Sequence, residues 1–393
     1  MIRTRIAPSP TGQDIHIGNL YTALINWAFA KKNNCKFIVR IEDTDRTRYL
    51  KGAEEKILNS LNNYGITASE SPKVGGPYSP YRQSERLAIY KKYVQELIKK
   101  GAAYYCFCTR DRLDEVRKKQ ILEKKIPKYD RYCLKHTACN TEGAIYEGNK
   151  PYVIRLKIPD NRKIVFKDAA RGEIKFNSKD LDDQILLKSD GYPTYHLAVV
   201  VDDYLMKISH VIRAEEWIAS TPKHVILYEA FGWPLPIFAH LPILRNPDRS
   251  KLSKRKNPVW ASWYLTYGIL PEAMLNYLSL MGWSHPQQKE IFSTEEFIKV
   301  FDLKDIKAIG PVFDLTKLEW MNGEYLRKTQ SSKLKAQIYE FYGKKLSGDT
   351  IEKTIPLIRE RIKKLSDYLP LCEFFFQRPE KYEVDLSTKK NIF

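Results

Sequence analysis

Two short stretches, far apart in the chain, carry residue types that handle phosphate. The first begins Arg5-Ile6-Ala7-Pro8-Ser9-Pro10-Thr11-Gly12 and ends His16-Ile17-Gly18-Asn19. It leaves an apolar segment, crosses a Pro/Gly loop and enters helical spacing near Gly18. A helix N-terminus offers free backbone N–H groups and a partial positive charge, which suits a phosphate. Gly18 has no side chain, so a planar group can lie directly on the backbone. His16 stands where a nucleotide phosphate would arrive. The second stretch is Lys251-Leu252-Ser253-Lys254-Arg255, three cations and a hydroxyl in five residues. Alone, such a run also reads as a solvated basic loop. A third group is Cys106-x-Cys108 followed by Tyr129, Cys133, His136 and Cys139. Thiolates two apart clamp one zinc ion, and a second pair of ligands must return from a loop. Reduced thiols without metal are the alternative.

The elements that must position these residues follow from hydrophobic spacing. Residues 2–6 and 36–41 read as strands, and Ile17, Leu20, Leu24, Trp27 and Ala28 between them recur at helical spacing. Strand, loop, helix and strand within some 40 residues is the unit of a parallel α/β sheet. Residues 53–64 and 84–100 read as amphipathic helices stopped by Gly65 and Gly101. Residues 102–140 break periodicity, 152–158 and 163–166 alternate like antiparallel strands, and 184–201 read as apolar strands around the turn at 189–193. A module of about 85 residues is thus expected inside the α/β sheet. From about 258 onward the pattern is helical, with stops at Gly268, Gly282 and Gly310-Pro311, and 329–393 reads as all-helical and basic.

Composition sets the class. The 393 residues suggest two or three domains at roughly 150 residues each. Lys and Arg number 66 against 47 Asp and Glu, a formal charge of +19 that points to a polyanionic partner such as nucleic acid. No apolar run approaches the ~18 residues needed to cross a bilayer. The first residues are already strand-like, with no signal pattern ahead of them. Four of the six cysteines fall between 106 and 139, which in a large chain reads as a metal site in a reducing compartment. Cys35 and Cys372 read as core residues.

The paired loops resemble the HIGH and KMSKS signatures of class I aminoacyl-tRNA synthetases. Flanking segments resemble the glutamyl-tRNA synthetase family of bacterial type. They are Arg5 to Gly12, Arg40-Ile41-Glu42-Asp43-Thr44-Asp45-Arg46, the run 76–86 (GPYSPYRQSER), Val200-Val201-Asp202-Asp203 and Val211-Ile212-Arg213-Ala214-Glu215-Glu216-Trp217. The resemblance implies an α/β fold with a Rossmann-type parallel-sheet catalytic domain, an inserted tRNA acceptor-binding module, a stem-contact domain and a helical, partial anticodon-binding domain. The expected boundaries are 1–101 and 189–257 for the catalytic halves, 102–188 for the insertion, 258–328 for the stem-contact domain and 329–393 for the last.

The implied reaction is glutamate–tRNA ligation. Glutamate and ATP, with Mg2+, give glutamyl-adenylate, and the glutamyl group passes to the terminal adenosine of tRNA(Glu). The resemblance also implies that tRNA is bound before the first step, that the enzyme is a cytoplasmic monomer, and that it holds one structural zinc. By residue, it assigns His16, Lys254 and Lys251 to catalysis, and His16, Gly18, Asn19, Lys251, Ser253 and Lys254 to ATP. Arg5, Ala7, Ser9, Glu42, Tyr195 and Arg213 are assigned to glutamate. Cys106, Cys108, Tyr129 and Cys133 are assigned to zinc, with His136 or Cys139 as alternative fourth ligands. The attacking α-carboxylate is already ionised, so no Ser/His/Asp triad is needed.

Several positions depart from the family pattern. Asn19 replaces a His, Leu252 a Met, Arg255 a Ser, and Val199 stands where some relatives carry a substrate-contacting Asn. The resembled chains usually continue into a second helical module, so a fragment or a short enzyme is expected. The rivals are an enzyme that also charges tRNA(Gln), a glutamyl-queuosine tRNA synthetase and a silent tRNA-binding paralogue. A glutaminyl-tRNA synthetase is disfavoured because helices, not a β-barrel, follow the catalytic region. Segment 258–328 argues against the queuosine enzyme, and His16 with Lys254 against the paralogue.

Overall fold

The computed structural model describes residues 2–136, 146, 148–252 and 258–377. Its first unit is β1 (Arg3–Ile6), α1 (Ile17–Lys32) and β2 (Lys36–Val39), with β1 and β2 parallel and Arg3 opposite Lys36. Helix α1 is buried around most of its circumference, including Leu20, Leu24 and Ala28, so it is a central helix and not a surface one. After α2 (Ala53–Asn63) and α3 (Leu87–Lys99) come β3 (Ala103–Cys106), α4 (Arg110–Leu122), α5 (Tyr132–His136), β4 (Val153–Leu156), β5 (Lys163–Asp168), β6 (Gly172–Asn177) and β7 (Ile185–Leu187). Strands β3, β4 and β7 form an antiparallel sheet.

The chain returns through α6 (Tyr195–Leu205), β8 (His210–Ala214), α7 (Thr221–Phe231) and β9 (Ile237–Leu241). Strands β8 and β9 are parallel, and β5 joins β9 in parallel at Asp168 opposite Phe238, with β6 antiparallel on its far side. Strand β1 lies against the start of β8, where the Ser209 amide donates to the Arg3 carbonyl at 3.0 Å. The C-terminal ends of β1, β8 and β9 thereby face one crevice, the usual ligand position in such sheets.

One segment expected as strand is helical. Residues 195–201 form the first two turns of α6, not a strand. Val199, Val200 and Val201 are all buried. A helix covered on all sides has no polar face, so its β-branched run carries a strand-like signal that tertiary packing overrides. Cys35 also departs from the core reading: it is half-exposed and its thiol donates to the Asn33 carbonyl, whereas Cys372 is fully buried.

Helices α8 (Ala261–Tyr267), α9 (Pro271–Ser279), α10 (Thr294–Val300) and α11 (Leu315–Lys328) follow, then α12 (Ser331–Phe341), α13 (Gly348–Ile358) and α14 (Tyr368–Cys372). Leu270 and Leu326 share one core with Leu334, Ile338 and Ile355. Gly268 takes a left-handed φ of +97° directly under the backbone of Leu365, where a Cβ would lie 2.7 Å from the Leu365 amide nitrogen.

Candidate active site and metal cluster

The turn at His16 caps α1. The His16 Nδ1 accepts from the Gly18 amide at 3.0 Å, so the neutral ring carries its proton on Nε2. Gly18 lies tight against that ring, where a Cβ would be 3.2 Å from the His16 Nδ1. The first amides of α1 are not free, contrary to the sequence expectation. Ile17 donates to Val259 and Asn19 to the His16 carbonyl. The returning Val259 takes the Ile17 amide, and His16 itself takes those of Gly18 and Asn19. An anion here meets the helix dipole and side chains, not a nest of open amides.

The same return brings the two phosphate-type stretches together. Lys251 and Leu252 line one cleft with His16, Gly18 and Asn19. On the far side of residues 253–257, the Ala261 amide donates to the Ile15 carbonyl at 3.0 Å, and His16 bridges Trp260. Both anchors of the basic loop therefore sit at the His16 turn. Ser253 and Lys254 themselves lie outside the described residues. The Lys251 ammonium is paired with Glu216, which lines the same cleft.

Asn19, Thr22, Ala214 and Glu216 also line a second, adjoining pocket that contains Arg5, Ala7, Glu42, Tyr195 and Arg213. Its floor is a buried ion cluster. Arg5 donates from Nε and Nη2 to Asp203, both at 3.0 Å. Arg40, fully buried, donates to Asp203 at 2.8 Å and to Glu42 at 3.1 Å. Arg86, Gln83 and Tyr90 converge on Asp202. Burial pushes the Glu42 carboxyl up, against the pull of Arg40 and Arg5. Burial also opposes charge on Asp203, yet Arg5 and Arg40 together hold its carboxyl below the ordinary range. The three cations Arg5, Arg40 and Arg86 match the three anions Glu42, Asp202 and Asp203.

Arg213 is different. Its Nη1 donates to the Tyr195 hydroxyl at 2.9 Å and its Nη2 to Thr221 at 2.8 Å. Among the described residues it makes no ion pair with a carboxylate. Tyr195 stacks against Trp217 with ring centres 4.2 Å apart, and burial raises its phenol. Ser9, by contrast, is exposed on the preceding loop.

The cysteine group forms a compact cluster at the end of β3. The Sγ atoms of Cys106, Cys108 and Cys133 lie within 4.8 Å of one another. The Tyr129 hydroxyl is 3.3 Å from Cys106 Sγ and 3.4 Å from Cys108 Sγ, and Cys108 and Cys133 are 3.5 Å apart. A tetrahedral zinc with Zn–S of ~2.3 Å has ligand–ligand edges of about 3.8 Å, so the donor set fits. Burial pushes the Cys108 thiol up to about 11 in the metal-free protein. His136 is exposed, its Nδ1 3.0 Å from the Tyr132 carbonyl oxygen, and Cys139 lies outside the described residues.

Known proteins of similar sequence and fold point to one family. Residues 1–320 match the model of class I tRNA synthetases (E and Q), catalytic domain, and 324–392 match an anticodon binding domain. A glutamate–tRNA ligase of Dehalococcoides mccartyi is 46% identical over 399 aligned residues, covering all of this chain and 80% of that protein. One from Marinomonas sp. is 49% identical over 96% of this chain and 76% of its own length. The crystal structure of a glutamate tRNA ligase from Elizabethkingia meningosepticum in complex with its amino acid superposes with a TM-score of 0.87. It is 39% identical and covers 97% of this chain and 81% of that one. The chain belongs to the glutamate–tRNA ligase family.

Within this ligase framework, several supporting residues had no role readable from the sequence. Asp203 and Arg40 hold Arg5 and Glu42 in place, and His224, His240 and Asp168 surround Arg213. For some of them one signal was available, a polar residue set in an apolar run. Arg40 follows Phe37-Ile38-Val39, Asp202 and Asp203 follow three valines, and His240 sits in Ile237-Phe238-Ala239-His240-Leu241. A charged residue in such a run must be paired.

Proposed function

We propose that this chain is a glutamate–tRNA ligase that joins L-glutamate to the terminal adenosine of tRNA(Glu) through glutamyl-adenylate. The observation that carries the reading is the continuity of the two clefts. A charge-matched pocket with one uncompensated arginine opens, past Asn19 and Glu216, onto the cleft of His16 and Lys251.

Glu42 takes the substrate ammonium, while Arg5 and Arg213 take carboxylates. The buried ions beneath the pocket are paired with one another, and Arg213 is the cation lining it that has no carboxylate partner among the described residues. Free glutamate, with one ammonium and two carboxylates, carries −1 and complements it. Glutamine carries none, and leaving the buried guanidinium against an amide costs on the order of 2–4 kcal/mol.

In the first step an α-carboxylate oxygen bonds to the α-phosphorus and the bond to pyrophosphate breaks. His16 at the cap of α1 and Lys254 on the anchored loop stabilise charge growing on the phosphates. Lys251 swings from Glu216 as the loop closes. Magnesium would arrive on the triphosphate and neutralise its oxygens. In the second step a ribose hydroxyl attacks the glutamyl carbonyl and AMP leaves.

A groove lined by Lys91, Lys150, Lys188 and Tyr152 offers cations and an aromatic face to the single-stranded acceptor end. Zinc held by Cys106, Cys108, Tyr129 and Cys133 would pin this inserted region structurally. Among the described residues no helix is long and apolar enough to cross a membrane. Action in the cytoplasm as a monomer is part of the proposal. Charging of purified tRNA(Glu) and tRNA(Gln) with labelled glutamate tests it: tRNA(Glu) is charged, and failure to charge either contradicts it.

A further inference from the structure

The ring nitrogens around Arg213 form an ordered chain. Asp168, at the end of β5, accepts from His240 Nδ1 at 2.6 Å. That proton fixes the tautomer, so His240 Nε2 is an acceptor, and it receives Arg213 Nε at 3.2 Å. On the other edge, Arg213 Nη1 lies 3.2 Å from His224 Nδ1. His224 must then carry its proton on Nε2, which donates to His196 Nδ1 at 3.1 Å. The strand register builds the first half: Arg213 and His240 are direct partners on β8 and β9, and β5 pairs with β9 two residues before His240. Asp168, His240 and His224 are all nearly inaccessible, at 1%, 0% and 2% exposure.

An arginine fixed by a carboxylate, as Arg5 is by Asp203, shares its charge with a protein anion. Here three edges of the guanidinium are fixed by neutral acceptors. Burial, with Arg213 adding to it, lowers both imidazoles and favours their neutral form, in His240 against the pull of Asp168.

Resting on the ligase reading above, we propose that Asp168, His240 and His224 are positioning residues for glutamate selection: they lock the Arg213 guanidinium through neutral, tautomer-fixed acceptors and leave its charge for the substrate carboxylate. Asp168 is the key to the chain. It sits on the far side of His240 from the pocket and touches no substrate, yet it decides which ring nitrogen faces Arg213.

The test is ATP–pyrophosphate exchange by the full chain with tRNA(Glu) present, comparing Asp168→Asn, His240→Leu and His240→Gln with the unsubstituted protein. In Asp168→Asn the amide can donate to Nδ1, which turns Nε2–H toward Arg213 Nε–H. The glutamate KM is expected to rise about 10- to 100-fold in Asp168→Asn and in His240→Leu, with the KM for ATP within about twofold. His240→Gln keeps an acceptor at the Nε2 position and recovers most of the glutamate affinity. The preference for glutamate over glutamine falls in the first two variants. An unchanged glutamate KM in folded Asp168→Asn and His240→Leu overturns the proposal, as does an equal rise in both KM values. No exchange in the unsubstituted chain would instead remove the ligase reading on which it rests.

Discussion

Arg5 turns one edge of its guanidinium, Nε and Nη2, onto the carboxylate of Asp203 at 3.0 Å on both contacts. This leaves Nη1 as the donor that Asp203 does not use. Asp203 is itself shared with Arg40, so a single carboxylate on α6 sets the position of the first strand, the second strand and Glu42 together. Asp203→Ala leaves two buried guanidinium groups short of a partner, and a loss of 3–5 kcal/mol, about that of a broken buried pair, is expected in urea unfolding. A loss below about 1 kcal/mol would mean that the cluster does not organise the pocket.

Stability should fall on the acid side of neutrality. His224 and His240 are held neutral by burial, with folded values below the ordinary 6.5. The unfolded chain takes up these protons as pH drops through about 6.5 and the folded chain does not. The unfolded state then binds more protons, so stability decreases with falling pH, by up to about 1.4 kcal/mol per unit for each ring. Asp203 has the same sense in a lower window: its depressed value contributes stability that is present above about 3.9 and lost below it, so it is intact between pH 7.5 and 5.0. Urea midpoints at pH 7.5 and 5.0 check this, and equal midpoints contradict it.

The cysteine cluster predicts about one zinc per purified chain. Cys106, Cys108 and Cys133 should resist a thiol reagent until a chelator is added, while half-exposed Cys35 reacts at once. Metal analysis showing none, with all thiols titratable, removes the metal.

Much of this was legible in advance. The β1–α1–β2 unit, the helices after it and their glycine stops follow from periodicity, because each of those helices or strands has a covered face and a turn residue. Helix α6 was not legible, since a helix buried on every side loses the period that identifies it. Arg40, Asp202 and Asp203 lay in recognisable segments with no role attached to them, and the supports of Arg213 lay in none. Asp168, His224 and His240 are brought to Arg213 by strand pairing and helix packing across long sequence separations, as in the 72 residues between Asp168 and His240. Local spacing cannot carry that information.

Lys254 tests the convergence of the two loops. Its anchors meet at the His16 turn. Lys254→Ala should depress adenylate formation about 100- to 1,000-fold while changing tRNA affinity little, measured by exchange and by filter binding. An equal loss of both would make Lys254 an RNA contact.

The most direct measurement is pyrophosphate exchange with ATP, in the presence of tRNA(Glu), with glutamate or glutamine as the amino acid, for the unsubstituted chain and Arg213→Ala. The account predicts exchange that depends on glutamate, is weak with glutamine and collapses in Arg213→Ala. Exchange that is absent, or equal for the two amino acids, would contradict it.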